Sequence, residues 1–215
     1  KNNPELLDIF NITHQKSGDQ PQALFGSIVF GAKSALSDGN TGIPMPVVLC
    51  ICHKHCSLDI QPDQYAIVGK NLLETIQAEL GVGKEVLDAW GDLYGQVADA
   101  CIGVEKSLYD QSKGLGGWAG REELKITGKK AVSETVTEFT LARQGGKKMP
   151  TFSPGQYISV WPSAKQLKSD HAQPRQYSVV SNSGDDEIRI AVRLVDGGVV
   201  STWLHNEAEV GTKVD

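Results

Sequence analysis

Residues 114–118 read Gly-Leu-Gly-Gly-Trp, and the hydrophobic period of the chain changes across them. Upstream, Val86, Leu87, Trp90, Leu93, Tyr94, Val97 and Cys101 recur in steps of three and four, which builds one apolar stripe on a helix. Downstream, Ile188, Ile190, Val192 and Leu194 alternate with Arg189, Ala191 and Arg193, the pattern of a half-buried strand. The break separates a helical half, residues 1–112, from a strand-rich half, residues 113–215, with the boundary near 110–120.

The helical half carries a second stripe at Leu72, Leu73, Ile76 and Leu80, closed by Gly81-Val82-Gly83. Gln61-Pro62-Asp63 marks a helix start, with proline suited to the first turn. Residues 37–46 (SDGNTGIPMP) form a loop by composition. In the other half, strands are predicted over 123–129, 133–141, 156–161 and 177–180, separated by glycine-rich turns, a spacing that suggests an antiparallel barrel. The fold class expected is therefore an all-α domain followed by an antiparallel β-barrel domain.

A chain of 215 residues suits two domains of about 100 residues. Its 40% hydrophobic and 22% charged residues are ordinary globular composition. A net charge of −5 argues against nucleic acid or an anionic membrane as partner. No apolar run is long enough for a membrane span. The four cysteines, three of them within seven residues, read as free thiols in a reducing, cytoplasmic setting. Lys1 falls where a domain is already under way, and 210–215 reads as a strand just beginning, so an internal piece of a longer protein is expected.

The run Cys50-Ile51-Cys52-His53-Lys54-His55-Cys56 concentrates metal-capable side chains. On a helix His53 and His55 point about 200° apart and cannot share a site, whereas Cys52, His55 and Cys56 share a face. Zinc needs four ligands, usually from two elements, and only Cys101 lies elsewhere; buried core thiols are the better reading of the cysteines. Continuing the Trp90–Cys101 stripe by one turn lands on Glu105. A carboxylate there is either paired or marks the exposed end of the helix.

Asn3-Pro4-Glu5-Leu6 with Phe10, the run from Gln15 to Phe25, His53-Lys54-His55-Cys56, Ile60-Gln61-Pro62, Tyr65-Ala66-Ile67-Val68-Gly69, Leu87-Asp88-Ala89-Trp90-Gly91 and Tyr94-Gly95 resemble the globin domain of flavohaemoglobins, in order and in spacing. The resemblance implies haem b with His55 as proximal iron ligand, and Tyr65 and Glu105 as its hydrogen-bonding, catalytic partners. It places Phe10, Gln20 and Leu24 against the haem and Lys54 beside the ligand. Such partners fix the imidazole tautomer and raise its basicity, which favours oxygen activation over carriage. Two departures stand out: the family's distal tyrosine would precede Lys1, and the 37–46 loop is longer than usual, with its prolines interrupting the expected helix.

In the second half, Pro154-Gly155-Gln156-Tyr157, then Arg175-Gln176-Tyr177-Ser178, then Gly197-Gly198-Val199-Val200-Ser201 resemble the flavin-binding barrel of the ferredoxin-reductase-like family, which in flavohaemoglobins follows a globin. The resemblance implies FAD. Arg175 offers a planar fork to the pyrophosphate, Tyr177 and Tyr157 pack on the cofactor, and Gln176 and Ser178 line it. The turn at Val200-Ser201 presents backbone N–H groups and a helix start, over 201–206, to phosphate. Val199 stands where many relatives carry a polar residue. His171 and His205 show no partner and read as solvated loop and helix-end residues.

The activity implied is that of a nitric oxide dioxygenase, which converts NO and O2 to nitrate on a haem reduced through FAD by NAD(P)H. The NAD(P)H domain is expected beyond Asp215, so this piece alone is expected to lack NAD(P)H-driven turnover. A monomer is expected. Two alternatives are an O2-binding or O2-sensing globin with a degenerate second domain, and a plain FAD electron-transfer protein without haem.

Overall fold

The computed structural model describes residues 3–9, 17–38 and 44–215. The chain forms two compact units, one of residues Ser17–Tyr109 and one of Asp110–Asp215 together with the N-terminal segment. The first is helical: α1 (Asp19–Asp38), α2 (Met45–Ser57), α3 (Pro62–Leu80) and α4 (Lys84–Gly114). Helix α3 starts where Pro62 predicts, with the Gln61 N–H donating to Gln64 Oε1 at 2.9 Å. It stops at Gly81, whose left-handed φ of 60° suits glycine and whose N–H donates to the Gln77 carbonyl at 3.0 Å.

The expected loop over 37–46 is shorter in the structure. Ser37 and Asp38 close α1, while Met45 and Pro46 open α2, and 39–43 lie outside the described residues. Pro46 does not interrupt that helix, because a first-turn residue has no carbonyl to donate to and loses nothing by lacking an N–H. Helix α4 runs past Glu105 to Gly114, so Glu105 is no frayed end: it is 3% exposed. Val48 and Cys52 of α2 pack on Cys101 of α4, with Tyr65, Val97, Val104 and Leu108 around them.

The strand-rich unit holds β1 (Leu124–Ala131), β2 (Val136–Arg143), β3 (Tyr157–Val160), β4 (Arg175–Ser178), β5 (Ile188–Arg193) and β6 (Lys213–Val214), with the single-turn helix α5 (Ala164–Leu167) and helix α6 (Val199–Asn206). One antiparallel sheet runs β5-β2-β1-β6, a second is the β3–β4 pair, and a Val179–Ile190 bridge joins them. The predicted alternation holds, with Ile188, Ile190 and Val192 buried opposite Leu141, Phe139 and Thr137. Strand β2 begins later than predicted because the Ser133 hydroxyl accepts from the N–H groups of Thr135 and Val136, at 3.3 and 3.1 Å, and holds a turn there. Strand β4 begins earlier, since Arg175 already pairs with Val160. Helix α6 begins at Val199, two residues before its expected start.

The core of this unit is Ile126, Phe139, Leu141, Ile190, Val192, Val200 and Leu204. Arg143 ties the glycine-rich connector down: its guanidinium donates to the carbonyls of Gly116 and Lys148 and to Glu122, at 2.9, 3.1 and 3.0 Å. The N-terminal turn Pro4–Asp8, read from sequence with the helical half, clusters with this unit. Asp8 Oδ1 accepts the Ala172 N–H at 3.0 Å and lies 3.3 Å from His171 Nδ1. Among the described residues no helix is long and apolar enough to cross a membrane.

Candidate functional site

Helix α2 carries His55 in its last turn, α3 carries Tyr65 in its first, and α4 supplies Glu105. The three meet. His55 Nδ1 lies 2.7 Å from Glu105 Oε1 and 2.8 Å from the Tyr65 hydroxyl, and that hydroxyl donates to Glu105 Oε1 at 2.5 Å. A carboxylate only accepts, and the tyrosine proton is already committed to it. Both oxygens therefore accept from Nδ1, which must carry the ring proton. Nε2 is left with a free lone pair, the state a metal-ligating histidine requires. Burial, reinforced by the Glu105 carboxylate, pushes the Tyr65 phenol far above its ordinary range, so it remains a donor.

Val47, Ile51 and His55 follow each other at intervals of four on α2 and so lie along one face. That face opens on an apolar groove of about 370 Å³ lined by Ala23, Gly26, Ser27, Phe30, Val47 and Ile51. Phe30, in that lining, and Leu24, on the same helix, are each 46% exposed. His55 itself is not among the lining residues and stands one turn beyond Ile51 on the same helix; a ring nitrogen with a free lone pair and an apolar groove on that helix are features that fit haem. Phe10 lies outside the described residues, as does the Gln20 side chain, and Lys54 is exposed at the surface.

The thiols spend their hydrogens on α4. Cys52 donates to the Cys101 carbonyl at 3.7 Å and Cys56 to the Glu105 carbonyl at 3.8 Å. Burial first, then nearby Glu105, pushes Cys56 up to about 11. Cys50 is exposed. Among the described residues no trio of His, Cys, Asp and Glu gathers into a metal-holding cluster.

In the strand-rich unit the register of β3 and β4 sorts the remaining candidates. Tyr157 faces Ser178 and Ser159 faces Gln176 on one side of the pair; Ile158 faces Tyr177 and Val160 faces Arg175 on the other. Tyr157 and Ser178 are exposed, whereas Tyr177 packs on the core and burial pushes its phenol up to about 12. Gln176 Nε2 donates to Ser159 Oγ at 2.9 Å, across the strands. Half-buried Arg175 donates to the Pro174 carbonyl and to Gln173 Oε1, at 2.8 and 3.2 Å, which holds its fork in place.

Ser201 closes the turn before α6. Its hydroxyl accepts the Val195 N–H and donates to the Gly198 carbonyl, both at 3.2 Å, while the Gly198 N–H donates to the Val195 carbonyl at 2.9 Å. A Cβ on Gly198 would meet Ser201 Oγ at 2.7 Å. Ser201 and Val200 are thus buried supports, and the first-turn N–H groups of α6, which lack intrahelical acceptors, are what the turn offers an anion.

Two expectations are corrected. His205 is not a solvated helix end: Nε2 donates to the Val192 carbonyl at 2.9 Å and Nδ1 lies 3.4 Å from Thr137 Oγ1, because α6 lies against β2 and β5. His171 has Asp8 as a partner. Sequence reading also missed Tyr94, whose hydroxyl donates to the Tyr65 carbonyl at 2.7 Å, and Gln173, the buried partner of Arg175. Tyr94 stood in the sequence only as a member of the α4 stripe and of a family-like motif; Gly69, in the middle of a helix, was the signal that a large side chain packs against it.

The globin family model matches residues 1–101, and the oxidoreductase FAD-binding domain model matches residues 123–215. A curated flavohemoprotein from Halalkalibacterium halodurans is 40% identical over 217 residues, spanning 97% of this chain and 52% of that protein. The crystal structure of a flavohemoglobin from Malassezia yamatoensis, which holds FAD and haem, matches with a TM-score of 0.87 and 30% identity, over 98% of this chain and 54% of that one. The chain spans about half the length of each relative. Two family models in this order, with matches to relatives along nearly all of the chain, agree with the site geometry: the chain belongs to the flavohaemoglobin family.

Proposed function

We propose that the protein is an oxidoreductase of the nitric oxide dioxygenase type, holding haem b on His55 and FAD around Arg175-Gln176-Tyr177-Ser178. The observation that carries the reading is the convergence of Glu105 Oε1 and the Tyr65 hydroxyl on His55 Nδ1. Bound together, haem would bring O2 and NO to nitrate while FAD passes it electrons from NAD(P)H. Glu105 and Tyr65 hold the Nδ1 proton, leave the Nε2 lone pair free for iron and make it a strong electron donor, which suits oxygen activation. Arg175, positioned by Gln173, supplies fixed positive charge for the pyrophosphate, and the α6 first turn supplies N–H donors. Tyr157 and Ser178 lie on the exposed face of the β3–β4 pair and are offered to the flavin there, while Arg175 and the half-buried Tyr177 share the other face, with Tyr177 against the core.

The test is the chain loaded with haem and FAD, its flavin reduced by light and an amine donor, and then given NO in aerated buffer. Nitrate should form in proportion to NO consumed, and His55→Ala should abolish it. Nitrate at the level of free haem, with both cofactors bound, would reject the proposal.

A further inference from the structure

Helix α6 buries Val200, Trp203 and Leu204 in the core of the strand-rich unit. Apolar burial holds a helix down but has no direction, so by itself it leaves tilt and rotation soft. The setting of α6 matters because its first turn is what the unit offers an anion. The Thr202 N–H bonds the Gly198 carbonyl at 3.0 Å, which opens the helical ladder and leaves the N–H groups before it for a phosphate.

His205 supplies the missing direction. Thr137 of β2 and Val192 of β5 face each other across the sheet. The imidazole bonds both members of that rung: Nε2 donates to the Val192 carbonyl at 2.9 Å, and Nδ1 lies 3.4 Å from Thr137 Oγ1. A carbonyl only accepts, so Nε2 carries the ring proton and Nδ1 accepts from the threonine hydroxyl. The fully buried Phe139 ring meets the imidazole edge-on, with centroids 6.4 Å apart. Just past the helix, Lys129 of β1 donates from Nζ to the Ala208 carbonyl at 2.7 Å. Three neighbouring strands thus fix the last turn of α6.

The last turn acts as the pivot of a lever. From His205 back to Val199 is about 9 Å of helix. A tilt of about 10° at the pivot moves the first turn by about 1.5 Å, well beyond the ~0.5 Å range of good N–H···O distances.

We propose that His205 is a positioning residue for the FAD pyrophosphate: by bonding both members of the Thr137–Val192 rung it sets the tilt of α6, and so where the first-turn N–H groups stand. This rests on the reading of the strand-rich unit as an FAD site.

The experiment compares FAD with riboflavin, which carries the ring system and no phosphate, by fluorescence titration of the whole chain. The variants are His205→Leu, which removes both bonds, His205→Gln, which keeps an N–H donor, and Thr137→Val, which removes the hydroxyl alone. FAD should bind about tenfold more weakly to His205→Leu and about threefold more weakly to Thr137→Val. Riboflavin affinity should stay at the wild-type value in both, and His205→Gln should recover most of the FAD affinity. A general loss of structure would weaken both ligands together. Equal weakening of FAD and riboflavin would overturn the proposal. So would unchanged FAD affinity in folded His205→Leu or, where that variant does not fold, in Thr137→Val. A wild type that binds no FAD would overturn the flavin reading and the role of His205 with it, whereas a wild type that binds FAD beside unaffected variants sinks the role of His205 alone.

Discussion

At Glu105 a buried charge is tolerated because two donors, Tyr65 and the His55 Nδ1–H, satisfy one carboxylate oxygen. Glu105→Gln keeps the shape and removes the charge, so it should weaken the donor strength of His55. The reduction potential of the loaded chain should move to more positive values by redox titration; an unchanged potential would mean the carboxylate is only structural. Gly198 is constrained as tightly in the other unit. Gly198→Ala puts a methyl 2.7 Å from Ser201 Oγ and 3.0 Å from the Val195 carbonyl, both parts of one hydrogen-bonded turn. It should cost about 1–3 kcal/mol by chemical denaturation and weaken FAD retention on gel filtration. A variant as stable and as yellow as wild type would show that the turn is not built as described. At this scale the sequence was partly legible: His55, Tyr65 and Glu105 came from family-like motifs and one misplaced carboxylate. Gln173 and His205 were not, and Tyr94 was legible only as a member of the α4 stripe, because each acts on a backbone carbonyl or a neighbouring polar side chain, and such contacts leave no periodic trace.

Elements were legible where burial repeats along the chain. The α4 stripe and the Ile188–Val192 alternation predicted a helix and a strand that the structure contains, because one face of each packs on a core. Boundaries were missed where a local hydrogen bond outweighs pattern, as at Ser133, or where a proline is accepted into a first turn, as at Pro46. The β-sheet core depends on Phe139, which is fully buried between β1 and β5 neighbours. Phe139→Ala should lower stability by about 3–5 kcal/mol, read from the denaturation midpoint of the flavin-binding unit. A loss under 1 kcal/mol would place the core elsewhere.

For the molecule as a whole, the change of period at Gly114–Trp118 was the most informative feature, since it separated two units that fold on different principles. The grouping of Pro4–Asp8 with the strand-rich unit was invisible in sequence, because it depends on Asp8 meeting a loop 164 residues away. Alkaline stability is also a property of both units. Cys56 is pushed from 9.0 to about 11, and Tyr94 and Tyr177 from 10.0 to about 12, each chiefly by burial. Raised folded-state values mean that the folded chain binds these protons more tightly than the unfolded one. Their stabilisation is complete below pH 9 and is lost as pH rises towards 11–12. Urea midpoints should therefore hold level to about pH 9 and then fall, and a flat profile to pH 12 would contradict the burial assigned to these groups.

The central claim is that His55, with its Nδ1 proton held by Glu105 and Tyr65, offers an unprotonated Nε2 as the ligand of a haem. Titration of haem into the chain, followed by the Soret band, tests it most directly. Wild type should take up one equivalent with a sharp band, and His55→Ala should lose that band while its far-ultraviolet circular dichroism stays unchanged. A His55→Ala variant that binds haem with the same band and the same affinity would contradict it.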